Sequence, residues 1–160
     1  MNSADRRADK FNRKKPTHRT ASMYQIHLLN HCRPYEAGDT TAEHIKTLDA
    51  FARLKDGSAS EDDFVRVGKT LNLAMARAGE IDQHLAKLIE PSHDAMTRLR
   101  ERYHSTQQWG FDGPGIQAVA QGLQHARDIM DASSPQQMIN AEKTMNRVLA
   151  EIERGQKKGA

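Results

Sequence analysis

The sequence predicts an all-α protein, a bundle of five to six helices preceded by a disordered basic arm. Two observations carry that prediction. Beyond residue 20, apolar residues recur at three- and four-residue spacing, and no segment alternates with period two or concentrates β-branched residues as a strand would. Glycines, prolines and Ser, Thr or Asp caps then cut this periodic stretch into helix-length pieces. At 160 residues a single domain with tails is expected: a flexible arm over 1–20, a helical domain over 21–155 and a short basic tail over 156–160.

The arm contains Arg6, Arg7, Lys10, Arg13, Lys14, Lys15 and Arg19 against Asp5 and Asp9, a local balance of +5 within a chain of formal charge +3. That leaves 17 basic and 19 acidic groups in the rest, so the isoelectric point near 9.1 belongs to the arm. With Phe11 its only aromatic, the arm cannot bury enough apolar surface to offset its ordering entropy. Its seven cations are candidate polyanion contacts, acting by counterion release and without sequence readout. A solvated tail is the competing reading.

A short helix is expected over Ser22–Cys32, ending ahead of Pro34. The next opens at Thr40, where Glu43 completes a capping-box pattern, carries Ala42, Ile45, Leu48 and Ala52 as its buried stripe, and stops at Gly57. A third starts at Ser60 with Glu61, Asp62 and Asp63 in its first turn, which suits the positive end of the helix dipole. Its stripe runs Phe64, Val67, Leu71, Ala74, Met75, Ala78, Ile81, Leu85, Leu88 and resumes as Ala95, Met96, Leu99, Tyr103. One straight helix over 61–104 would be roughly 66 Å long at 1.5 Å per residue, so a break or kink is expected near Pro91, with Gly79 as a secondary weak point. Residues 105–115 form a loop. A further helix follows with Pro114 in its first turn and Ile116, Val119, Leu123, Ala126 and Met130 inward. The last is capped by Ser134 with Gln137, buries Met138, Ala141, Met145, Val148, Leu149 and Ile152, and closes at Gly155.

Chemistry finds little footing. His27 and His31, four apart beside Cys32, have the spacing of two metal ligands, yet a second close pair is missing and Leu28 stands where a zinc-protease motif needs glutamate. Cys32 lacks a neighbouring base on its own helix face, and DGPG is too short for a phosphate loop and lacks the lysine. No catalytic residue, metal site or cofactor is expected, and the chain is read as a non-enzyme. Mean hydropathy is −0.81, and no apolar run approaches the roughly 18 to 20 residues of a membrane span. With no signal-type apolar stretch behind the basic start and Cys32 as the lone cysteine, a cytoplasmic location is expected.

Tyr103, Trp109 and Phe111 fall within nine residues, beside Arg100, Arg102 and His104, in a chain with only eight aromatics. Arg100, Tyr103, Trp109 and Phe111 are therefore candidate partner-binding residues, since interface hot spots are built from these types. The competing expectation, and the preferred one, is that Trp109 and Phe111 fold back as a plug between helices.

The NRKKP block, the stretch LKDGSASEDDFVRVGKTLNLAMARAG and the segment RYHSTQQWGFDGPGI together resemble uncharacterised small helical proteins encoded by prophages and other mobile elements of proteobacteria. The resemblance brings no catalytic residues with it. It implies an accessory protein that binds and inhibits a host component, such as a defence or CRISPR complex. The function expected is thus a non-catalytic helical protein-interaction module, its seven methionines suiting adaptable contacts. The alternative is a nucleic-acid-binding protein that uses the arm. A homodimer is also expected to be within reach, because the Phe64–Leu88 stripe can outlast the partners available in one small chain.

Overall fold

The structure, a computed structural model, describes residues 40–158. Among these residues there are five helices and no strand: α1 Thr41–Asp56, α2 Glu61–Ile81, α3 Gln83–Thr106, α4 Gly113–Asp131 and α5 Pro135–Lys158. The basic arm and the expected helix over Ser22–Cys32 lie outside the described residues. None of the described helices is long and apolar enough to cross a membrane.

The punctuation read from the sequence works largely as chemistry requires. Ser60 Oγ accepts from Asp63 N while the Asp63 carboxylate accepts from Ser60 N, a complete capping box at the start of α2. Ser134 and Gln137 exchange the same pair of bonds at the start of α5. Asp112 caps α4 by accepting from Gly115 N at 2.7 Å, with Pro114 in the first turn. Gly57 ends α1 at φ 82, where a Cβ would also stand 3.1 Å from the Trp109 carbonyl oxygen. Thr40 departs from expectation. It has helical φ and ψ and makes no side-chain cap; its hydroxyl donates instead to Asp131 at the end of α4.

The long periodic stretch breaks at Asp82, nine residues before the proline. Asp82 is extended at φ −161 and ψ 136; its N–H donates to Ala78 O and its carboxylate accepts from His84 N, so one residue ends α2 and starts α3. The chain reverses there. Gly68 lies against Met96, and Leu71 shares a hollow with His93, both pairs symmetric about residue 82. Pro91 sits inside α3. Its missing N–H orphans the Lys87 carbonyl, and because Lys87 and Pro91 are both exposed, water can satisfy that oxygen.

Helix α2 is the hub and packs against all four others, while α3 and α4 pair most extensively. The core comprises Leu54, Val67, Leu71, Ile89, Leu99, Val119 and Leu123 with smaller residues between. Gly122 lets α4 approach the α2–α3 hairpin: a Cβ there would lie 2.5 Å from Ser92 Oγ and 3.2 Å from Leu71 Cδ2. Helix α5 crosses α2 and does not lie along it. Glu142 reaches Lys69 and Thr144, two residues on, reaches Glu80, three turns further along α2.

Three stripes differ from expectation. In α1 the core takes His44, Thr47, Ala50, Phe51 and Leu54, while Ala42, Ile45, Leu48 and Ala52 face solvent. After the reversal, Ile89 is buried and Ile81 and Leu88 are exposed, because the break resets the helical phase. In α5, Met138, Ala141 and Met145 are buried, whereas Val148, Leu149 and Ile152 are exposed on a helix that runs past Gly155 to Lys158.

Candidate functional site

The aromatic loop is a plug. Trp109 is 7% exposed and stacked between Phe64, 4.8 Å and 18° away, and Tyr103, 3.9 Å and 6° away. Phe111 meets Phe51 edge-on at 5.9 Å. Trp109 is buried in this arrangement, as the preferred plug expectation has it, and Tyr103 and Phe111 are half-buried, the first in the Trp109 stack and the second against Phe51. Arg100 alone of that group is well exposed, on the rim of a hollow of about 250 Å³ between α2 and α3. Arg102 holds the loop closed, donating to Gly110 O at 2.8 Å and pairing with Asp112 at 3.6 Å. Of the sequence-nominated residues, the structure thus brings Tyr103, Trp109 and Phe111 together as packing. The polyanion candidates Arg6, Arg7, Lys10, Arg13, Lys14, Lys15 and Arg19 lie outside the described residues, as do His27, His31 and Cys32.

Among the described residues, two apolar surfaces are exposed. One is the outward face of α1, where Ile45 is 52% and Leu48 42% exposed, flanked by Ala42 and Ala52. The other is a groove of about 710 Å³ between α1 and α5, floored by α2 and lined on its apolar side by Val65, Leu73, Met138 and Ile139. Salt bridges across its floor tie α2 to both walls: Arg66 to Glu43 at 3.4 Å and Lys69 to Glu142 at 3.3 Å. Lys46 also bonds Glu43 at 2.6 Å and holds that carboxyl below the usual range. Such exposed pairs orient the walls and add little to stability.

At the groove's inner end His44 is buried, and its Nδ1 has no hydrogen-bond partner among the described residues. Burial pushes its pKa down, the nearby Arg127 adds to that, and Asp131 opposes both. His93, in the smaller hollow, is likewise pushed down by burial, and its Nε2 is also unpartnered. These two imidazoles line different hollows. Among the described residues, no three His, Cys, Asp or Glu side chains are grouped to hold a metal ion.

Set against known proteins, the chain matches no family model, no curated protein and no solved structure. Function is therefore legible only in the surfaces of this chain. Neither open surface was nominated by the sequence. For α1 the available signal was size: Phe51 and Leu54, three apart and larger than Ala42 and Ala52, mark the core face on the opposite side of the helix.

Proposed function

We propose that this chain is a non-catalytic helical interaction module that engages another protein through the outward face of α1. The observation that carries the proposal is the exposure of Ile45 and Leu48 between Ala42 and Ala52, a complete amphipathic stripe that the core does not use. Contiguous aliphatic faces on a well-packed bundle are the usual signature of a protein contact. The face presents i, i+3, i+6 and i+10 positions of a straight helix, spacings of three and four residues by which one helix packs against another. The partner class follows from the mobile-element resemblance: a host component, such as a defence complex, which the module would occupy and inhibit.

The second reading, nucleic-acid binding, rests on the seven cations of the arm and uses none of the bundle. The two separate by salt. An aliphatic contact survives raised ionic strength, whereas an arm-borne polyanion contact weakens steeply with it. Binding of host proteins and of duplex DNA by the full chain, measured at low and high salt for the natural sequence, Leu48→Glu and the triple variant Arg13→Ala, Lys14→Ala, Lys15→Ala, tests both readings. Loss of a salt-resistant protein partner with Leu48→Glu alone supports the module.

A further inference from the structure

The distal part of α5 poses a separate problem from the α1 face. Once α5 has crossed α2, its apolar stripe continues beyond Met145, but among the described residues no helix covers it. Val148, Leu149 and Ile152 are between 41% and 51% exposed on a regular helix that ends at Lys158. The same molecule has a groove between α1, α2 and α5. Val65 and Ile139, exposed on the floor and wall of that groove, are aliphatic side chains facing outward from two helices that already pack together.

We propose that the distal segment of α5 from one copy seats in the α1–α2–α5 groove of a second copy, and reciprocally, so that the chain forms a closed dimer. Three features of the molecule select a second copy as the occupant. The first is length. The groove floor runs from Asp62 to Leu73, about 17 Å of helix, and the segment Val148–Lys158 is about 15 Å at the same rise. The second is chemistry. An aliphatic stripe of three residues meets an aliphatic floor, and each surface is exposed among the described residues. The third is charge. Groove residues Glu43, Asp62 and Glu142 outnumber Arg66 and Lys69, and Asp62 has no ion-pair partner among the described residues. In sequence the distal segment carries Arg154, Lys157 and Lys158 against Glu151 and Glu153, an excess of the opposite sign. Reciprocal seating fills both grooves at once and closes the assembly, whereas a one-way contact would propagate into a fibre.

The test is the mass of the full chain in solution across a concentration series, by light scattering or sedimentation equilibrium. The natural sequence is expected to be a dimer. Ile152→Glu in the segment and Val65→Glu in the groove should each weaken dimerisation at least about tenfold, because a carboxylate would be buried against aliphatic carbon. Both positions are exposed in the monomer, so helical circular dichroism should be unchanged and a failure to fold would be visible there. Arg154→Glu should weaken the dimer, and Asp62→Lys added to it should restore affinity. Ile45→Glu should leave the dimer intact, which separates this inference from the α1 proposal. A monomer at all concentrations, an open-ended polymer, or a dimer indifferent to both Ile152→Glu and Val65→Glu would overturn it.

Discussion

Arg53 grips Asp63 through two hydrogen bonds, Nε to Oδ2 at 3.0 Å and Nη2 to Oδ1 at 2.6 Å. The same carboxylate accepts from Ser60 N at 2.9 Å, so one side chain both caps α2 and ties it to α1. The tie fixes the α1–α2 hairpin at its closed end, directly beneath Gly57. It thereby sets which face of α1 meets the core and which meets solvent.

Arg53 first, and the Ser60 backbone second, hold the Asp63 carboxyl well below the ordinary carboxylate range. A depressed folded-state pKa contributes stability that is complete above the unfolded value of about 3.9 and is lost as pH falls below it. The thermal midpoint of Asp63→Asn should therefore lie below that of the natural sequence at pH 7, and the gap should narrow between about pH 4 and pH 2. A gap that stays constant across this range would show that the ionised carboxylate is not what stabilises the hairpin.

For His44 the sign is the same and the cause is different. Burial lowers its folded pKa, so the unfolded chain binds the proton more readily and stability declines as pH drops below about 6.5. Arg127 deepens the effect and Asp131 offsets part of it. Replacing His44 with Gln should flatten the loss of stability between pH 7 and pH 5 in chemical denaturation. An identical slope in the variant would assign that loss to other groups.

Tryptophan emission should be blue-shifted and resistant to iodide or acrylamide, since Trp109 is stacked between Phe64 and Tyr103. Truncation by Trp109→Ala empties the centre of that stack and should cost about 3–5 kcal/mol in denaturant unfolding. Red-shifted, quencher-accessible emission from the folded chain would contradict the plug.

Gly122→Ala should destabilise the bundle by about 1–3 kcal/mol, because the added Cβ would stand 2.5 Å from Ser92 Oγ and 2.6 Å from Ser92 Cβ, atoms of a buried side chain with little room to yield. Gly79→Ala makes the internal control: a Cβ there meets nothing within 4 Å, and alanine raises helix propensity by about 1 kcal/mol. Equal effects at the two glycines would refute the close approach of α4.

Much of this architecture is written locally. Ser60, Ser134 and Gly57 mark helix ends because capping depends on atoms within four residues, and all three act as the sequence indicates. The reversal at Asp82 was hidden because its stripe reads continuously from Ala78 through Ile81 to Leu85, and Pro91 supplied a louder signal for a break. Periodicity also could not say which apolar face of α1 turns inward, since His44 and Thr47 are polar residues that tertiary packing buries. The open surfaces are invisible to sequence patterns for the same reason: Val148 and Ile152 look like core until α5 is seen to leave α2 behind.

If the α1 face carries the function, substitutions on that face will abolish partner binding. The full chain, Ile45→Glu and Leu48→Glu would be compared for a partner retained at 0.5 M salt (on the order of a 4 Å Debye length, where exposed ion pairs are screened). The natural sequence should retain the partner and each variant should lose at least about tenfold in affinity, with helical circular dichroism unchanged. Undiminished binding by both variants, or binding that disappears only when Arg13, Lys14 and Lys15 are neutralised, would contradict it.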